Sequence, residues 1–213
     1  MPSTAPTIDL PHAGKPVFRG AHGIVPYVAM WTAEEVLSAP VIETPVGIGY
    51  ADETAVDRDA QGLLWTRTTV RQGVGKPIYD QLHPLRQRRA MRRMLCQVCA
   101  GPADQDERGA LWLIQDQRSQ WAGWPEGAQN AHPPLCLRCA RISVKACPWL
   151  ASGYVAVRAH SHVNGASGGL YRAGRPAPRL VDAVTVTYED PRRRWTQADQ
   201  LVRELVGCSL VEL

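Results

Sequence analysis

Apolar and polar positions alternate in two distinct periods along this chain. From Ile24 to Val46 short apolar runs are broken by Pro26, Pro40 and Pro45, a pattern of brief strands and turns, with Thr32-Ala-Glu-Glu35 as a capping box for one short helix ending near Ser38. Gly47–Tyr50 and Leu63–Val70 predict two strands joined by the polar turn Ala51–Gly62. Between Asp80 and Leu95 the period changes. At about 100° per residue, Ala90, Met91, Met94 and Leu95 gather on one side, and Arg86, Arg88, Arg89, Arg92 and Arg93 fan across the other. Ala110–Ile114 predicts a strand, Ser119–Pro134 a long loop, and Cys136 to about Ala146 a second helix with Pro148 beyond its end. Strand character returns at Tyr154–Arg158 and Ala183–Tyr188, around a flexible Gly/Arg/Pro stretch from Gly165 to Arg179. Ala198, Leu201, Val202, Leu205 and Val206 follow i, i+3, i+4, i+7, i+8 spacing, which predicts a closing helix capped by Thr196 and ended by Gly207. Cys208–Leu213 can add a final short strand.

These elements predict an α+β chain of short antiparallel strands and a few helices. Its organisation divides into a flexible N-terminal arm (1–22), a mostly β segment (23–79), an arginine-rich helix with a cysteine module (80–150) and a β-β-α segment (151–213) packed on the rest as part of one domain or two small ones. Length and composition, 213 residues at 45% hydrophobic, allow a real core. No apolar run approaches the roughly 18 residues of a membrane span. The start Met-Pro-Ser-Thr is not a charged-then-apolar leader, which points to the cytoplasm, a compartment where thiols go to metal rather than to disulfides. The net charge of +4 permits nucleic acid without arguing for it, so the distribution of charge decides.

The candidate chemistry lies in two C-x-x-C pairs, Cys96/Cys99 and Cys136/Cys139. Each knuckle turns two thiolates inward, and two knuckles supply the four corners of a closed structural Zn²⁺ site with no open position for water. Disulfides, a redox C-x-x-C or an iron–sulfur cluster are the other chemistries open to such pairs. The order knuckle, strand, loop, then a knuckle opening a helix predicts a treble clef ahead of a zinc ribbon. Cys147 and Cys208 read as small buried hydrophobes, with Cys147 a conceivable substitute ligand.

From Met94 to Leu150 the chain resembles the zinc-stapled HNH endonucleases. Leu95-Cys-Gln-Val-Cys99, the Trp112-bearing strand and Leu135-Cys-Leu-Arg-Cys139 carry the resemblance. It implies a zinc-braced finger but not cleavage. That group needs a histidine at the end of the first strand to activate water. Here the strand runs Leu113-Ile-Gln-Asp-Gln117, with only Asp116 there and His132 in the loop as conceivable substitutes.

Two surfaces remain as candidates for function. Arg86, Arg88, Arg89, Arg92 and Arg93, on a helix running into Cys96, are expected to contact phosphates of a nucleic acid or nucleoprotein complex. Trp121 and Trp124, in the loop between the knuckles, are expected to dock a protein partner in the competing reading of an adaptor or subunit; the nuclease is a further alternative. His160 and His162 share one face of an extended segment but lack a third ligand. No phosphate-binding glycine loop, nucleophile elbow or H-E-x-x-H occurs.

Overall fold

The computed structural model of the chain describes residues 18–20 and 23–213, so most of the expected N-terminal arm lies outside the described residues. Short hairpins come first. β1 (Phe18–Gly20) pairs with β2 (Gly23–Val25), and β4 (Val41–Thr44) with β5 (Gly47–Tyr50). β3 (Ala29–Trp31) and β6 (Leu64–Trp65) find distant partners instead. β3 pairs with β7 (Pro77–Leu82), which leads directly into α1 (Pro84–Arg93). β8 (Gln105–Asp106) and β9 (Gly109–Gln115) form a hairpin, then β10 (Gln129–Asn130) and α2 (Leu137–Ala146) follow. Three long strands close the chain: β11 (Tyr154–Arg172), β12 (Arg179–Thr187) and β13 (Thr196–Val211).

The expected α+β class is the class observed, with antiparallel pairing dominant. The main sheet holds seven strands, with the path β10-β13-β11-β9-β8, β12 added to β11 and β6 to β13. Only the β6–β13 pairing is parallel within it. Trp112, Leu63, Met91, Val157, Ala166, Leu201 and Leu205 pack on one face of this sheet under α1, and a second cluster surrounds the cysteines.

Several predicted elements differ. The closing helix is a strand. β13 pairs with β11 along nearly its whole length, and two bulges change its phase. Asp199 is the extra residue between Ala198 and Gln200, which face the consecutive residues Gly168 and Ser167; Gly207 and Cys208 together oppose Ala159. Past such a bulge, the side chain that returns to the same face comes three residues later rather than two. Ala198, Leu201 and Leu205 thus reach one core cluster from an extended backbone and imitate helical spacing. The stretch from Gly165 to Arg172 is likewise strand, not flexible loop. α1 begins at Pro84, because Asp80–Leu82 belong to β7. Residues 32–33 form a turn and no helix follows, because the next residues bond to a distant segment: Val36 bridges Thr68, and Leu37 N–H donates to the Arg67 carbonyl at 2.8 Å. Gly47–Tyr50 and Leu64–Trp65 do not pair with each other, as β5 joins β4 and β6 joins β13.

The outer edge of β13 is covered piece by piece. Leu64–Trp65 takes Gln197 and Ala198. The Gln87 side chain accepts from Leu201 N–H at 3.0 Å and donates to its carbonyl at 2.9 Å. β10 takes Arg203 and Glu204, and Gly127 and Ala128 bond the main chain of Leu205. The Glu126 carboxylate accepts from Gly207 and Cys208 N–H at 2.9 and 3.0 Å. Through Gln87 this edge also keys α1 to the sheet.

Candidate metal centre

α1 ends where Met94 turns left-handed (φ 52°), and the chain enters the first knuckle. There Cys96 N–H donates to the Gly101 carbonyl at 2.7 Å and Ala100 N–H to the Cys96 carbonyl at 2.9 Å, with Ala100 also left-handed (φ 59°). This tight turn brings both thiols to one side. The second pair opens α2: Cys136 is its N-cap residue and Cys139 lies in its first turn, pointing into the second core cluster beside Leu111, Leu113 and Leu135. Main-chain bonds from Gln97 to Pro134 (3.0 Å) and from Leu135 to Leu111 (2.9 Å) fix the two knuckles against β9.

All four sulfurs lie within 4.8 Å of one another, with Cys99 and Cys136 Sγ 3.9 Å apart. None of the six cysteines forms a disulfide. Cys96 and Cys139 are buried and Cys99 and Cys136 half-buried. Thiols this crowded share their protons unequally. Hydrogen bonding from Cys139 and Cys96 holds Cys99 down to about 2, while hydrogen bonding to Cys96 and Cys99 pushes Cys139 far up. The sulfurs are close enough to hold one metal ion. Among the described residues no other group of His, Cys, Asp or Glu side chains does this. Cys147 ends α2 outside the cluster, and Cys208 sits half-buried against the Pro125 carbonyl, where burial first and then the Glu126 charge push it up to about 12. His160 and His162 are exposed on β11 and join no such group.

The arginines of α1 do not share one free face. Arg86 is only 5% exposed; its guanidinium meets the Glu34 carboxylate at 2.5 and 2.6 Å and donates to the carbonyls of Tyr27 and Ala29 at 2.8 and 2.7 Å. Arg88 stacks on Trp65, 4.4 Å from the ring centroid, and Arg89 donates to the Tyr27 hydroxyl at 3.0 Å. Arg92 and Arg93 alone are exposed, with Arg92 3.9 Å from the Asp59 carboxylate. Arg86 precedes Ala90 by four residues and so sits over the buried stripe, where the 27–34 segment brings Glu34 to it. Glu34 escapes a local reading because its partner lies 52 residues away.

The tryptophan pair is divided as well. Trp121 is 40% exposed, but Trp124 is 9% exposed and belongs to the main core cluster, so it is unavailable to a partner. Asp116 is engaged by Arg118 through contacts of 2.6–3.1 Å, and neither it nor His132 joins a metal-sized group. No described helix is long and apolar enough to cross a membrane. Comparison with models of protein families, with characterised proteins and with solved structures returns no match to this chain.

Proposed function

We propose that the four cysteines hold a structural Zn²⁺ as thiolates, that knuckle, β8–β9 hairpin and α2 form a treble-clef finger, and that the protein binds nucleic acid or a nucleoprotein complex without catalysing a reaction. The observation that carries the metal assignment is the sulfur cluster itself. Zn–S bonds of about 2.3 Å give a tetrahedron with edges of about 3.8 Å, and the Cys99–Cys136 separation is 3.9 Å. Thiolates are soft ligands that favour zinc, and four of them leave no coordination site for water or substrate. When bound, the ion supplies only a fixed cross-link; the chain's own side chains do the binding.

The nucleic-acid reading rests on charge. Many of the chain's carboxylates are engaged internally, Glu34 by Arg86, Asp57 and Asp52 by Arg67, Asp104 by Arg158 and Asp116 by Arg118, whereas Arg92 and Arg93 face outward beside the knuckle. With a net charge of +4, phosphates are the counterpart such a surface favours.

The test has two parts. Metal analysis of the purified protein should return one zinc per chain, and replacing Cys139 by Ser should lose it. Affinity purification from the native host, with and without nuclease, should recover nucleic acid whose removal releases the associated material. A protein complex that survives nuclease, together with no oligonucleotide binding at low salt, would replace this reading with an adaptor role.

A further inference from the structure

α2 carries a basic stripe. Leu137 and Val144 pack on the second core cluster with Cys139 and Ala140, which turns Arg138, Arg141 and Lys145 outward. These three positions fall within about 60° of each other on a helix of 3.6 residues per turn and span about 10 Å along its axis. The helix contains no acidic residue. Among the described residues no carboxylate or hydrogen-bond acceptor engages any of the three, although the arginines of neighbouring strands and turns, Arg108, Arg118 and Arg158, are paired with aspartates. A helix face solvated for its own sake commonly mixes both signs to gain pairs at i, i+4; this one has only cations.

Trp149 makes the stripe more specific. It lies four residues beyond Lys145, in the short 3₁₀ turn Pro148–Ser152, and is 64% exposed. Its solvent exposure is among the largest of any bulky apolar side chain in the described residues. Its indole is open to solvent one short turn past the end of α2, and an unpaired base has a free face to stack on such a ring. Cys136 and Cys139 anchor the start of the same helix in the sulfur cluster, so the stripe is held on a fixed scaffold.

We propose that Arg138, Arg141, Lys145 and Trp149 form a binding strip for single-stranded nucleic acid, the three cations tracking phosphodiesters along the strand and the indole stacking on a base. This rests on the nucleic-acid reading above and transfers its surface from α1 to α2. The 10 Å span matches about three nucleotide steps of a stacked strand.

The test uses the zinc-loaded full chain and fluorescence anisotropy with three labelled 20-mers of one sequence: single-stranded DNA, single-stranded RNA and duplex DNA. Each is titrated at several salt concentrations, and zinc content and thermal unfolding verify every variant. The wild type should prefer one of the single strands to the duplex. The R138Q/R141Q/K145Q variant should bind that strand with a log K against log salt slope reduced by about 2, since each neutralised phosphate contact contributes about 0.7. W149A should bind it on the order of ten- to a hundredfold more weakly, and R92Q/R93Q should weaken binding less than either. If the α2 variants bind like the wild type while R92Q/R93Q loses binding, the strip is refuted and the nucleic-acid function stands. A preference for duplex, or full binding by W149A, refutes the single-strand assignment. If the wild type binds none of the three probes, the nucleic-acid reading falls and the strip with it.

Discussion

Replacing Glu34 by Gln breaks an ion pair whose two members are both buried. Arg86 is 5% exposed and Glu34 4%, and the pair is bidentate at 2.5 and 2.6 Å. Glu34 also accepts from the main-chain N–H of Trp31 at 3.0 Å and of Arg71 at 3.1 Å. Removal of one member of a buried pair costs about 3–5 kcal/mol, because the remaining charge stays desolvated. The upper part of that range applies here, since the amide nitrogen that replaces one oxygen cannot accept from a main-chain donor. A loss of about 4 kcal/mol is a large share of the 5–15 kcal/mol that typically stabilises a domain, and in a chain of this length it lowers Tm by about 10 °C. The assay is urea unfolding followed by tryptophan fluorescence at fixed free zinc, which prevents metal binding from shifting the apparent stability. The double variant E34Q/R86M should recover at least about 2 kcal/mol relative to the sum of the single effects, as residues in direct contact are not additive. A cost below about 1 kcal/mol for E34Q, with strict additivity in the double variant, would refute the pair and return Arg86 to the surface.

Three other outcomes can be checked with the same preparation. Chelation of the metal should release α2 and both knuckles to fast hydrogen exchange, because structural zinc sites contribute about 10–16 kcal/mol of apparent binding free energy; exchange that stays slow would mean the module folds without metal. Burial holds His83 below its ordinary range despite its bond to the Thr69 carbonyl at 2.9 Å. Its unfolded form therefore takes up a proton first as pH falls below about 6.5, and stability should decline there by at most about 1.4 kcal/mol per pH unit; H83Q should flatten that limb, and an unchanged limb would exclude His83 as its source. Gly109 adopts φ +102° and a Cβ there would run into the main chain of Ala159 and His160, so G109A should cost about 3 kcal/mol in the same urea assay, whereas a neutral effect would show that the β8–β9 turn can relax.

What was legible in the chain was what neighbours in sequence decide. The knuckles, β9 and α2 are specified within a few residues by cysteine spacing, an apolar run and an N-cap position, and each forms where those signals lie. β13 defeats a periodic reading because its pattern is set by bulges that exist only through pairing with β11, more than thirty residues earlier. β6 defeats it for a similar reason, pairing in parallel with a strand over 130 residues on. The α1 arginines look alike in sequence, yet Glu34, Trp65 and Tyr27 divide them into an ion pair, a stacked cation and a hydrogen-bonded one. Trp121 and Trp124 are likewise separated only by tertiary packing. The α2 stripe was readable, since Arg138, Arg141 and Lys145 stand at i, i+3 and i+7 without an acid among them; the cysteines beside them draw attention away.

The covering of β13 by unrelated pieces bears on how the protein survives at high concentration. A sixteen-residue strand with a bare edge is a template on which a second chain can polymerise. Here two two-residue strands, one glutamine side chain, a short turn segment and one carboxylate each occupy a different stretch of that edge. Each acts as a guard against self-association as well as a contributor to the fold. Q87A would thus be expected to register first as turbidity on storage, with the unfolding midpoint of the freshly prepared protein shifting less than its shelf life.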